Sequence, residues 1–207
     1  MDNLITRVTK YIEVVAGKSG LFYRAAAHYY KNMVKNEIEL AKIKSSDRVL
    51  CIGGGPCPFS GILLYKYTGA AVTILDNDKK CVECSRKMLK NMGLDGKIEI
   101  LYGEAEEICP QGYSVIHMAL QISPFAKVFA KMQKGCEQGA KILVRLPKKS
   151  LSKMYDTIDL ASPANLAFHS GLKNVDSTAL FIKSGGKNEK SGNYSGSRDF
   201  GISFAAV

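Results

Sequence analysis

A chain of 207 residues, 46% hydrophobic and 23% charged, has the makeup of one globular domain with at most a small appendage. No apolar run approaches the roughly 18 residues that cross a bilayer as a helix, so no membrane span is expected. Twenty-nine Lys and Arg against 19 Asp and Glu give a net charge of +10, a balance suited to anionic partners.

The N-terminal segment, residues 1–47, reads as helical and separate from the domain of residues 48–207. Apolar residues recur at Ile5, Val8 and Ile12, and a break falls at Gly17 to Gly20. A second helix is expected from about Leu21 to Lys42, with Phe22, Ala26, Tyr29, Tyr30, Met33, Ile38 and Leu40 on a broad apolar and aromatic face. Met1 to Leu4 show no basic segment followed by an apolar core, so no secretory signal is read and the cytoplasm is the expected location.

From Arg48 onward strands and helices alternate. Strands are expected at Val49–Ile52, Ala71–Leu75, Ile98–Tyr102, Tyr113–Leu120 and Ala140–Leu146. Helices are expected at Phe59–Tyr67, from Asn77 or Asp78 to Met92, from Pro124 to Cys136, and from Ser150 to about Leu160. Apolar strands separated by helices mean a parallel sheet covered on both faces. The end of the chain differs. Ser177–Ile182 and Gly201–Val207 read as two strands with no helix between them, which predicts an antiparallel hairpin at the sheet edge. The connecting stretch, residues 184–199, is rich in Gly, Ser, Asn and Lys and reads as a solvated loop.

Six cysteines occur, at 51, 57, 81, 84, 109 and 136. They are read as reduced thiols. Cys81 and Cys84 share one helix face, and no second pair stands at metal-ligand spacing, so no metal is expected.

Three features converge at the carboxyl ends of adjacent strands. The first is the turn Gly53-Gly54-Gly55 with Pro56, between a strand and a helix. Its glycines allow a sharp turn and close approach of the backbone to a ligand. The second is Asp76 with Asn77, ending the next strand. Asp76 lies about 20 residues past the glycines, where an acid can accept hydrogen bonds from two ribose hydroxyls. The third is Gly103-Glu104-Ala105 after the third strand, where a carboxylate or a backbone N–H can reach an adenine amino group. This is where ligands bind in an open α/β sheet, and it points to an adenosine-containing cofactor.

Seven strands, doubly wound and mostly parallel, with a terminal antiparallel hairpin, separate this pattern from the dehydrogenase sheet. Residues 48–207 resemble the class I S-adenosylmethionine-dependent methyltransferases. The resemblance implies a Rossmann-like methyltransferase fold, with Gly53, Gly54, Gly55, Asp76 and Glu104 lining a site for S-adenosylmethionine. Cys51 stands where that family has an acid, and Cys57 where it has a third glycine. A narrower resemblance covers about residues 30–183. Asn36-Glu37, Arg48, the run from Ile52 through Gly-Gly-Gly-Pro-Cys-Pro to Leu64, Lys127-Val128-Phe129 after Pro124, Arg145, and Asn174 with Ser177-Thr178 are similar to the nicotianamine synthase family. Pro56 and Pro58 stiffen a loop that other methyltransferases keep glycine-rich. Those synthases move the aminocarboxypropyl group of S-adenosylmethionine instead of its methyl.

Either transfer needs alignment of nucleophile, carbon and leaving sulfur, and a base only if the nucleophile arrives protonated. Tyr30 and Glu37, on the helix read as facing the glycine turn, are the candidate catalytic residues. Tyr29, His28, His117 and His169 are further candidates, and His117, inside a strand, reads as a core histidine. Gln121-Ile122-Ser123-Pro124 does not match the Asn-Pro-Pro-aromatic motif of nucleic-acid amino methyltransferases. The lysines are scattered and not interleaved with aromatic residues as base-stacking platforms are. The expected activity is therefore methyl transfer to a small-molecule acceptor, with aminocarboxypropyl transfer second. RNA modification and a non-catalytic cofactor-binding module stand behind these, and a homodimer is left open.

Overall fold

The computed structural model describes residues 20–156 and 163–184. In chain order the elements are α1 (Gly20–Ala41), β1 (Arg48–Ile52), α2 (Phe59–Thr68), β2 (Ala71–Asp76), α3 (Lys79–Asn91), β3 (Ile98–Tyr102), β4 (Val115–Met118), α4 (Phe125–Gly135) and β5 (Lys141–Pro147). A short 3₁₀ helix (Lys149–Met154), β6 (Asn165–Phe168) and β7 (Val175–Ile182) follow. The seven strands form one sheet in the order β3-β2-β1-β4-β5-β7-β6. β1 to β5 pair in parallel, and β7 runs antiparallel to both β5 and β6.

The strands alternate their side chains between two cores, as a period of two requires. Val49 and Cys51 of β1 point to the side of α1, α2 and α3, with Val34, Ile62, Leu64 and Val82. Leu50 and Ile52 point to the side of α4, with Phe125, Val128, Phe129 and Met132. α1 belongs to the first layer: its Val34 and Ala41 join the core that Val49 and Ile62 build. Asp78 caps α3 by accepting from the backbone N–H of Lys80 and Cys81, and Gly93, at φ 63°, follows the helix end.

Among the described residues two sequence expectations change, and one strand appears that the sequence did not announce. The strand expected at Ser177–Ile182 is β7, and among the described residues its antiparallel partner at the sheet edge is β6, which precedes it in the chain. β6 is a short edge strand whose four residues are exposed or half-buried, so it leaves no alternation of apolar and polar residues to read. Gly201–Val207 and the helix read at Ile5, Val8 and Ile12 lie outside the described residues. Of the helix expected from Ser150 to about Leu160, the described residues form one short 3₁₀ segment, Lys149–Met154. None of its residues is buried, so no apolar face holds a longer helix in place. The strand expected over Tyr113–Leu120 shortens to Val115–Met118, because Gly112 at φ 79° ends a turn before it and Ala119 already belongs to the cavity wall.

Candidate active site

The carboxyl ends of β1 to β5 open into a cavity of about 740 Å³, within the usual range for small-molecule sites. Gly53, Gly54, Gly55, Asp76, Asn77, Gly103, Glu104 and Ala105 all line it. The structure therefore brings together the residues expected from three separate stretches of sequence. Pro56 is an exception. It is buried and off the cavity wall, while Cys57 and Pro58 face it.

The glycine turn is held by its neighbours. Gly53 and Gly55 take φ values of 83° and 63°, in the left-handed region where a side chain is strained. The Gly53 and Gly54 N–H groups donate to the carbonyl of Leu75 at 2.9 and 3.3 Å. The Gly55 N–H donates to Asp76 Oδ2 at 2.7 Å, and the buried Ser85 hydroxyl donates to the Gly55 carbonyl at 2.7 Å. Asp76 Oδ1 accepts from the Asp78 N–H at 2.9 Å. A carboxylate offers about four lone-pair sites. Two backbone donors fix the Asp76 plane and leave about two sites for a diol. Asn77 Nδ2 donates to Glu104 Oε2 at 3.0 Å, which ties the second and third stretches together.

The far wall is built around a buried ion pair. Glu37, on α1, has no exposed surface. Its Oε1 accepts from Arg145 Nε at 2.7 Å and from the Thr178 hydroxyl at 2.9 Å. Its Oε2 accepts from Arg145 Nη2 at 2.9 Å and lies 3.2 Å from His117 Nε2. Burial alone would raise the carboxyl pKa. The Arg145 guanidinium and the His117 imidazole outweigh it and hold Glu37 well below the usual carboxylate range. Glu37 does not line the cavity, but Arg145 and His117 do. Glu37 thus sits one layer behind the wall and fixes two of its residues. Beside them burial pushes the Cys51 thiol up to about 12, against the pull of Arg145, so this cavity-lining sulfur stays protonated.

Tyr30 lines the same cavity. Its ring stacks on Phe59 at 5.6 Å and meets Tyr29 edge-on at 5.3 Å. The Tyr29 hydroxyl accepts from the Lys173 backbone N–H at 2.7 Å. His169 is 8% exposed, with Nε2 at 2.8 Å from Thr178 Oγ1.

Sequence reasoning assigned no role to Arg145 or Thr178 and read His117 as core. The signal was present. Arg145 interrupts the apolar strand Ile142–Leu146, and an arginine so placed needs a buried counter-charge. Glu37, among apolar positions of a helix, is the matching anomaly, yet nothing local in the sequence pairs the two.

No family model matches the chain. Among curated proteins, an L-histidine 2-aminobutanoyltransferase of Pseudomonas aeruginosa is 26% identical over 113 residues, which are 54% of this chain and 43% of that protein. One of the same name from Yersinia pestis is 21% identical over 116 residues, 56% of this chain and 43% of that protein. The chain thus spans less than half the length of the curated relatives it matches. Among solved structures, the nicotianamine synthase MtNAS in complex with MTA and tNA superposes with a TM-score of 0.74 at 22% identity, over 86% of this chain and 72% of that one. An RNA methyltransferase from Salinibacter ruber in complex with S-adenosyl-L-homocysteine superposes with a TM-score of 0.63 at 18% identity, over 77% of this chain and 95% of that one. The chain has the Rossmann-like fold of the class I S-adenosylmethionine-dependent methyltransferases, and within that fold it resembles the nicotianamine synthase-like proteins.

Proposed function

We propose that this protein is an S-adenosylmethionine-dependent transferase that moves the aminocarboxypropyl arm of the cofactor to a small-molecule acceptor. The observation that carries the cofactor assignment is Asp76. Its carboxylate is oriented by the Gly55 and Asp78 N–H groups at the mouth of a glycine-lined cavity, and it keeps acceptor capacity for two ribose hydroxyls. The cavity also has the volume for such a ligand. The preference for the arm over the methyl group is supported by the curated relatives, whose printed activity is 2-aminobutanoyl transfer. This reverses the order expected from the sequence.

When bound, S-adenosylmethionine supplies a sulfonium-activated carbon, whose bonding electrons return to sulfur as the nucleophile's lone pair arrives. The protein's part is to orient the partners and receive a proton. Glu37 is an unsuitable proton acceptor, because Arg145 and His117 hold its pKa well below the usual carboxylate range and the carboxylate stays ionised near neutral pH. Its role is positioning. By engaging His117 Nε2 at 3.2 Å it sets which ring nitrogen is committed and leaves Nδ1 as the nitrogen free to accept a proton. His117 is therefore the proposed base. Tyr30, on the same cavity wall, is the group proposed to orient the acceptor.

Titration calorimetry tests the cofactor assignment. S-Adenosylmethionine and S-adenosylhomocysteine should each bind at one site per chain, and absence of binding by both would remove the proposal. The nucleoside left after turnover separates arm transfer from methyl transfer.

A further inference from the structure

A second cavity of about 200 Å³ lies between α1 and the loop joining β6 to β7. Tyr29, Met33 and Leu172 contribute to the walls of both cavities, so the smaller one adjoins the larger as a flanking chamber. His28, Asn32, Asn36, His169, Ser170 and Gly171 also line it.

His169 is the informative residue. The Glu37 carboxylate can only accept, so the single Thr178 hydroxyl proton is committed to Glu37 Oε1. His169 Nε2, at 2.8 Å from that hydroxyl oxygen, must then be the donor. Burial lowers the imidazole pKa and keeps the ring neutral, so Nδ1 carries a bare lone pair. That nitrogen is buried and has no hydrogen-bond partner, and an unpaired buried acceptor calls for a donor from outside the chain. The rest of the wall is polar but uncharged on the side of Tyr29, Asn32 and Asn36. The Tyr29 oxygen accepts from Lys173 N–H, which leaves its own proton to donate. Met33 and Leu172, 2% and 5% exposed, are the apolar part of the wall. No carboxylate, Lys or Arg stands among the described residues that line it.

We propose that this flanking chamber is a subsite for a neutral N–H donor group of amide or azole type carried by the acceptor, with His169 Nδ1 receiving its hydrogen bond. An ammonium would enter without a counter-carboxylate on the wall, and a carboxylate would face the Nδ1 lone pair with the exposed His28 as the one other imidazole of the lining, so the wall favours a neutral donor. Assigning the group to the acceptor rests on the transferase reading above.

The test uses the chain labelled with ¹⁵N-histidine, with imidazole and acetamide as probes and acetate and methylammonium as controls. The His169 Nδ1 resonance should move with both probes and with neither control. Asn36→Leu, on a half-buried helix position, should weaken the response about tenfold, with an unchanged circular dichroism spectrum showing the fold intact. A resonance unmoved by imidazole and acetamide would mean that water alone fills the chamber and would overturn the proposal. So would an equal response to acetate, or a response unchanged in Asn36→Leu. S-Adenosylmethionine binding is measured separately by calorimetry on the same chain. Cofactor binding without a probe response overturns the subsite alone. Probe response without cofactor binding overturns the transferase reading and with it the acceptor role.

Discussion

Glu37 and Arg145, 108 residues apart, meet as a two-pronged ion pair with no access to solvent on the Glu37 side, Nε to Oε1 at 2.7 Å and Nη2 to Oε2 at 2.9 Å. The pair joins α1 to β5 and sets the wall of the cavity. Removing one member strands a buried charge, so Glu37→Ala should cost about 3–5 kcal/mol in urea unfolding, and Arg145→Met a similar amount. The double variant Glu37→Leu with Arg145→Met should recover most of that loss, because no charge is left unpaired. Simple additivity of the two losses would contradict the coupling.

The pair also shapes the response to acid. Glu37 is held below its ordinary pKa of 4.5, so its contribution is complete above that value and lost as pH falls toward the lowered one. His169, lowered from 6.5 by burial, adds a loss that begins as pH drops below 6.5, because the unfolded chain then binds a proton that the folded chain resists. Stability should therefore decline from pH 7 downward, and Glu37→Gln should flatten the decline below about pH 4.5 only. Unfolding curves across that range check both windows.

Asp76→Ala should weaken S-adenosylmethionine binding by about 1–3 kcal/mol, since it removes the acceptors proposed for the ribose hydroxyls and frees the Gly55 N–H. Calorimetry reads the change directly. An unaltered affinity would take Asp76 out of the site.

The two groups on the far wall should separate kinetically. His117→Gln should lower kcat by about 100-fold or more while cofactor affinity stays near that of the parent. Tyr30→Phe keeps the ring stacked on Phe59 and should raise the KM for the acceptor more than it lowers kcat. An unchanged kcat in His117→Gln would return that residue to a purely structural role.

Much of the near side of the cavity was legible in the sequence because its signals are local. Gly53 to Gly55, Asp76 and Glu104 each follow an apolar run, and a parallel sheet places the carboxyl ends of such runs side by side. The far wall and the buried cluster behind it were not. Glu37, His117, Arg145, Thr178 and His169 come from α1, β4, β5, β7 and the loop after β6, and they make sense only through one another. A helix face and a strand each record that a charge is buried, but not which opposite charge meets it. β6 was missed for a related reason: an exposed edge strand carries little hydrophobic alternation, so its pairing with β7 is set by the sheet and not by its own four residues.

The most direct measurement is the nucleoside formed when the protein turns over S-adenosylmethionine with a deproteinised small-molecule extract, resolved by liquid chromatography and mass spectrometry. Transfer of the arm predicts methylthioadenosine, together with an acceptor heavier by an aminocarboxypropyl group. S-Adenosylhomocysteine with a methylated acceptor would contradict the proposed transfer.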